Sequence, residues 1–441
     1  MIPECHNEKE YPMIKKIIAI LLCGMMIFGV VGCTDKNGDN ENTDDATNSD
    51  TTKPDADTED TEDNGGNNGG DNGGTVFPDV ELTTTQLTSA TAGIKILGER
   101  QYVSDEEEQI NCDWTCSGIE FVLNSYGGDV SFEAESDKPC YFRAYINGEE
   151  WMSIGSSPYF VVDGKSTISL KKVPTGDITV RLIKVSGHTL ARAQLYSVSY
   201  YGTLKETAPA DKELYIEFIG DSISCGWGVV GNHDGTYASQ DGTYAYPYLL
   251  SQELNADYSV TALSGQGLLY HGTNMPNMIN GYLLSSPLRN VTAMYGFERK
   301  ADVVVINIGT NDYSHRSSIT AEEFAEAYKQ LIEIIKEKNG ADCKIVCLYD
   351  TMNDTFAESI ISVCYKLGGN ANGIYTFRME RAASGHPTIE ENVEYTAALK
   401  TLLQDVIDGK ILETKNELDT EASGDGMSVD ISQFYPIPND R

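Results

Sequence analysis

Two hydrophobic periods divide the chain. From Val76 to about Leu204, apolar and polar positions alternate with a period of two, as half-buried strands do. The runs are Ile119–Leu123, Val130–Ala134, Tyr141–Ile146, Tyr159–Val162, Thr167–Leu170, Ile178–Ile183 and Leu195–Val198. Gly127-Gly128, Asn147-Gly148, Asp163-Gly164 and Gly176-Asp177 read as the turns between them. No long helical pattern interrupts. Residues 76–205 are therefore expected to form an all-β sandwich, jelly-roll-like in outline.

From Glu213 strands alternate with helices. The strand candidates are Tyr215–Ile219, Tyr258–Leu263, Val303–Ile308, Lys344–Leu348 and Ile374–Phe377. Thr320-Ala-Glu-Glu323 is a capping box, followed by Phe324, Tyr328, Leu331, Ile332 and Ile335 at helical spacing. Thr388-Ile-Glu-Glu391 is a second, leading through Val393, Leu399, Leu402, Leu403 and Val406 to a stop at Gly409. Residues 211–410 are expected to form a three-layer α/β domain with a mostly parallel sheet. Thr203–Lys212 reads as the linker. Residues 411–441 read as a polar tail in which Phe434-Tyr435-Pro436 could pack back.

The first 75 residues have neither period. Lys15-Lys16 precedes an apolar run, Ile17–Val31, that is too short to span a bilayer as a helix. Met13 is the expected start. The run ends in Val30-Val31-Gly32-Cys33, which resembles the lipobox of bacterial lipoproteins. That resemblance implies a signal peptide over residues 1–33, lipidation at Cys33 and a place on the bacterial cell surface. Residues 34–75 are Asp, Asn, Thr and Gly with almost no apolar side chain, so they are expected to be a disordered acidic tether. The formal net charge of the 441 residues is -35, which argues against nucleic acid or anionic lipid as a partner. Membrane attachment would come through the lipid alone.

Candidate chemistry lies on four loops of the α/β part. Gly220-Asp221-Ser222 follows the first strand and Ser264-Gly265-Gln266-Gly267 the second. Gly309-Thr310-Asn311-Asp312 follows the third, and Gly385-His386-Pro387 precedes the last helix. In a parallel sheet these loops fall at one edge, where they supply a nucleophile, oxyanion donors and a base. His271 and His315 lie on neighbouring loops and are alternative bases. Asp221 and Asp312 read as loop braces. Cys225 reads as packing, as do most of the seven cysteines after Cys33; a Cys112–Cys116 bridge is possible, but nothing in the sequence supports it. No His-Glu-x-x-His or paired Cys-x-x-Cys spacing occurs, so neither metal nor cofactor is expected.

The four loops resemble the SGNH (GDSL) hydrolases over roughly Glu213 to Gly409. The resemblance implies that Ser222 is the nucleophile and His386 the base. It also implies an oxyanion hole from the N–H of Ser222, the N–H of Gly265 and the Asn311 amide, with Gly267 as the alternative to Gly265. The family usually carries Asp three residues before the histidine, whereas Ala383 stands here. A Ser-His dyad with a main-chain carbonyl on the imidazole is the expected substitute. A sandwich followed by such a domain resembles the family-two carbohydrate esterases. Asp113–Phe121, Gly220–Gly228, Ser264–Leu268 and Met275-Pro276 carry the likeness. It implies removal of O-acetyl groups from plant cell-wall polysaccharides or oligosaccharides, with Trp227 as a stacking surface for sugar. Two other readings remain open. One is a surface carbohydrate-binding protein with a weak or inactive SGNH domain. The other is a lipase or lysophospholipase of GDSL type.

Overall fold

In the computed structural model, residues 80–410 are described, apart from 89, 99, 101–108, 154, 187–190, 231–238, 272–275, 287–293, 316–318 and 384. The signal segment with Cys33, the acidic tether and the tail after 410 lie outside the described residues, as do Met275 and the side chain of His315. The described residues all belong to one compact unit, Thr75–Arg441.

The first half of that unit is antiparallel. Its strands are β1 (Thr83–Gln86), β2 (Ile94–Leu97), β3 (Ile110–Asn111), β4 (Gly118–Tyr126), β5 (Val130–Ile146), β6 (Glu149–Trp151), β7 (Phe160–Leu170), β8 (Thr175–Lys184), β9 (Ala193–Tyr200) and β10 (Gly202–Leu204). β5 pairs with β6, β7, β8 and β9, and the alternating inward residues enclose one apolar core. Three readings are corrected here. Asp163-Gly164 lies inside β7 and Gly176-Asp177 inside β8; neither ends a strand. Gly164 faces Ser136, where the β5–β7 register shifts, so its positive φ of 61° serves a strand irregularity. Thr203 and Leu204, expected in the linker, complete β10 against β4. Asn147-Gly148 is a tight turn with both φ positive, as a two-residue hairpin requires.

The second half is a five-stranded parallel sheet of β11 (Tyr215–Gly220), β12 (Asp257–Ala262), β13 (Val303–Asn307), β14 (Lys344–Tyr349) and β15 (Ile374–Arg378). Strand order is β12-β11-β13-β14-β15. The winding reverses between β11 and β13, and a doubly wound sheet keeps its ligand crevice at that point. Alternate side chains feed two cores. Ile216, Phe218, Val303, Val305, Val346 and Leu348 face α1 (Tyr246–Glu253) and α6 (Ile389–Ile407). Ile219, Val304, Ile306, Ile345 and Cys347 face α4 (Ala321–Asn339) and α5 (Ala357–Lys366). Two short helices, α2 (Met278–Gly281) and α3 (Thr310–His315), complete the set. Both capping boxes form as the spacing predicts.

The antiparallel part packs directly on the parallel part. Leu97, Cys116, Ile183 and Val185 enter the same core as Ile216 and Phe218. Trp114 Nε1 donates to the Ser285 carbonyl (2.8 Å), and Lys95 pairs with Asp257 (2.8 Å). Arg100, buried, pairs with the buried Glu217 of β11 (2.7 Å). All seven described cysteines are free and buried, Cys112 and Cys116 among them.

Candidate active site

β11 delivers Ser222 through a turn too tight for any residue but glycine at its head. A Cβ on Gly220 would stand 2.0 Å from Ser224 Oγ. The turn is wound by Cys225 N–H on the Asp221 carbonyl (3.1 Å), Trp227 N–H on the Ser222 carbonyl (2.9 Å) and Ile223 N–H on Asp221 Oδ1 (3.1 Å). Gly226, with φ 76°, lies so close to the Asp241 carbonyl that a Cβ would sit 2.6 Å from it. Asp241 N–H in turn donates to the Gly226 carbonyl (3.3 Å).

His386 reaches this serine from far along the chain. Its Nε2 lies 2.8 Å from Ser222 Oγ, within reach for proton transfer. The other described histidine on these loops, His271, stacks against Tyr270 instead. His386 sits in the short loop between β15 and α6, where Gly385 has φ 92°. Glu380, the nearest upstream acid, is exposed, and its carbonyl accepts from Tyr395 Oη (2.5 Å). Ala383 donates its N–H to Glu391 Oε1 (2.8 Å).

Two further loops surround the serine. In Ser264–Gly267, Gly265 has φ 82°. Gly267 N–H is committed to the Tyr270 carbonyl (3.0 Å) and Gln266 N–H to the Leu263 carbonyl (3.1 Å). The N–H groups of Ser222 and Gly265 have no acceptor among the described residues. Of the two glycines, only Gly267 has its N–H engaged among the described residues. Asn311 opens α3, and its Nδ2 donates to the Gln266 carbonyl (2.9 Å) and to Asp221 Oδ2 (3.3 Å). The amide therefore ties the loops after β11, β12 and β13 together, a task that the sequence did not suggest.

Asp312 and Asp221 are braces, as expected. Asp312, fully buried, accepts from the N–H groups of Leu268 (2.7 Å), Leu269 (2.8 Å) and Tyr270 (2.9 Å). Gly267 leaves room for that carboxylate, since a Cβ there would lie 2.6 Å from Asp312 Oδ2. Burial raises the Asp312 carboxyl above its ordinary value, with those three N–H groups opposing the shift. Burial, with Asp312 nearby, pushes Asp221 up to about 7. Burial and Asp221 push the Cys225 thiol up to about 12, so it is a poor thiolate and serves as packing.

Trp227 is half-buried on the nucleophile turn. A cavity of about 630 Å³ lies beside the His386 loop, lined by Asp350, Arg378, Met379, Glu380 and Arg381. Its salt-bridged cluster was not foreseen, because Asp350 and the arginines meet only when β14 and β15 pair. Glu391 was read as a helix cap alone; no local spacing signals its second contact. Among the described residues, no group of three His, Cys, Asp or Glu side chains could hold a metal ion.

Residues 218–409 match the GDSL-like Lipase/Acylhydrolase family. Residues 218–409 thus carry a GDSL/SGNH acylhydrolase domain, and the structural neighbours of the chain include family-two carbohydrate esterases. The chain is 28% identical over 298 residues to the cellulase/esterase CelE of Acetivibrio thermocellus, a match covering 63% of this chain and 35% of that protein. It is 26% identical over 237 residues to the acetylxylan esterase / glucomannan deacetylase of Cellvibrio japonicus, covering 47% and 65%. The chain thus spans about a third of the first relative and just under two thirds of the second. A family two carbohydrate esterase from Clostridium thermocellum, solved in complex with cellohexaose, superposes with TM-score 0.64 at 27% identity. That match covers 72% of this chain and 100% of the other. The family two enzyme from Cellvibrio japonicus shares the fold at TM-score 0.65 and 17% identity, over 75% and 99% of the two chains.

Proposed function

We propose that the chain is a serine esterase that removes O-acetyl groups from plant cell-wall polysaccharides or oligosaccharides of xylan or mannan type. The observation that carries this reading is the 2.8 Å contact between His386 Nε2 and Ser222 Oγ at the switch point of the sheet. The relative named acetylxylan esterase / glucomannan deacetylase supports the substrate class.

In this mechanism His386 Nε2 takes the Ser222 hydroxyl proton as Oγ attacks the acetyl carbonyl. The oxyanion that forms is held by the N–H groups of Ser222 and Gly265, and the Asn311 amide joins them by releasing either the Gln266 carbonyl or Asp221 Oδ2. The imidazolium then returns its proton to the departing sugar hydroxyl, leaving acetyl-Ser222. Water, deprotonated by the same imidazole, releases acetate. A main-chain carbonyl takes the orienting role on the other ring nitrogen, so the pair works as a dyad. Trp227 offers a face to the sugar. Ser222→Ala should abolish hydrolysis of an aryl acetate and of acetylated xylan while the protein stays folded. Activity above a trace in the folded variant would overturn the assignment. Ala383 favours one competing reading, a surface polysaccharide binder with an idle domain. Wild type that binds glycan but hydrolyses neither substrate would establish that reading.

The antiparallel part is read as a jelly-roll-like sandwich, consistent with its single enclosed core. The protein is further proposed to be exported and lipid-anchored through Cys33, on the strength of the lipobox. A Cys33→Ala variant should leave the membrane fraction of the producing bacterium. If it stays as firmly bound as wild type, the anchor is elsewhere.

A further inference from the structure

We infer that Glu391 is a positioning residue for His386, holding the loop that carries the imidazole closed at both ends. The inference rests on the Ser222–His386 reading of the site.

A capping box needs one carboxylate oxygen, turned back to the N–H of the cap residue. Glu391 Oε2 does this, accepting from Thr388 N–H (2.8 Å), while Thr388 Oγ1 accepts from Glu391 N–H (3.2 Å). The second oxygen has a different partner. Oε1 accepts from the N–H of Ala383 (2.8 Å), which lies before the helix on the far side of His386. Ala383 and Thr388 bracket Gly385-His386-Pro387. One carboxylate therefore closes the loop as a clasp, with a charge-assisted bond to each end.

The strand-side flank also has its own bonds, Gly385 N–H to the Ala382 carbonyl (3.4 Å) and Tyr395 Oη to the Glu380 carbonyl (2.5 Å), and the helix side is fixed as well. Asn392 Nδ2 donates to the Thr388 carbonyl (2.8 Å), and Asn392 Oδ1 accepts from Tyr246 N–H (2.9 Å). Gly385 at φ 92° gives the segment before His386 a backbone that glycine tolerates and other residues resist. Without the Ala383 bond, the carboxylate no longer ties residue 383 to the start of the helix that follows His386. The imidazole would then sample positions away from Ser222. Displacement of a reacting group by about 1 Å can cost on the order of 100-fold.

The test compares Glu391→Ala, Glu391→Gln and Thr388→Ala in the full chain, using 4-nitrophenyl acetate, with Ser222→Ala and His386→Ala alongside. Thr388→Ala weakens the cap but keeps the Ala383 bond. It should lower the melting temperature and leave kcat within about twofold. Glu391→Ala should lower kcat roughly 10- to 100-fold with KM nearly unchanged. Glu391→Gln, nearly isosteric, should fold and fall between them, because its amide can accept one N–H but not both. A crystal structure of Glu391→Gln or Glu391→Ala should show residues 383–387 displaced and His386 Nε2 out of hydrogen-bond reach of Ser222 Oγ. Equal kcat for the Thr388 and Glu391 variants, or an undisplaced loop, would overturn the inference. If Ser222→Ala and His386→Ala keep full activity, the site reading itself fails, and the loop geometry alone then decides whether the clasp exists.

Discussion

At the scale of single residues, the site is built on two buried carboxylates that do not touch the reacting atoms. Asp312 spends its charge on three N–H groups of the loop after β12, which fixes the backbone next to Gly265. Asp221 has fewer donors, one from Ile223 and one from Asn311. Burial, helped by the Asp312 charge, therefore raises it from 3.8 to about 7. A carboxyl raised by folding favours its protonated form in the native state. Its contribution to stability is complete below the ordinary value and is lost as pH rises through about 7. The melting temperature of the wild type should therefore fall more steeply between about pH 4 and pH 7 than that of Asp221→Asn. Calorimetry across this range is the check, and parallel curves for the two proteins would refute the assignment. The sequence identified both acids as braces. It could not rank them, because the number of donors each receives depends on how three separate loops converge.

At the scale of elements, the parallel strands were legible to within a residue or two, and the reason is physical. Each is a short apolar run cut off by glycine or a polar loop, and β11, β12 and β13 are buried throughout. The capping boxes were legible for a similar reason, since both partners lie within four residues. The antiparallel part was read less well. Its shortest strands, such as Ile110–Asn111 and Glu149–Trp151, offer too few positions to show a period. Gly164 and Gly176 carry turn residues' φ values inside strands, so composition pointed the wrong way. The end of β11 makes the most demanding use of glycine. Gly220→Ala would drive a Cβ against Ser224 Oγ, at 2.0 Å, and against the Asn307 carbonyl, at 3.2 Å. The turn must shift and Ser222 with it, so the variant should lose kcat as well as stability. Adding Ser224→Gly removes the nearer clash and should recover part of both, despite the loss of the Ser224–Tyr246 hydrogen bond (2.9 Å). No recovery in the double variant would mean that the clash with Ser224 is not what limits this position.

At the scale of the whole unit, the antiparallel part is built into the machinery that holds the nucleophile turn. Arg143 of β5 reaches across to Asp241 (3.2 Å) and Thr243 Oγ1 (2.5 Å), and Tyr159 Oη donates to the same carboxylate (2.9 Å). Asp241 is fully buried, and its main chain flanks Gly226. A chain of contacts thus runs from a strand of one part, through a buried ion pair, to the turn bearing Ser222 in the other. Breaking a buried pair from one side leaves an uncompensated charge, typically at a cost of about 3–5 kcal/mol. Arg143→Met should destabilise by about that much and should also lower kcat, since the segment clasping Gly226 loosens. Adding Asp241→Asn removes the stranded charge, so the double variant should be more stable than Arg143→Met alone. Because the two parts share one apolar core and several buried polar links, wild type should also unfold in a single transition. Denaturant unfolding followed by fluorescence and by circular dichroism tests both points. Coincident single transitions, with Arg143→Met shifted and the double variant partly restored, are the expected result. Two separate transitions, or an Arg143→Met curve lying on that of wild type, would show that the antiparallel part is a passenger and does not hold the site.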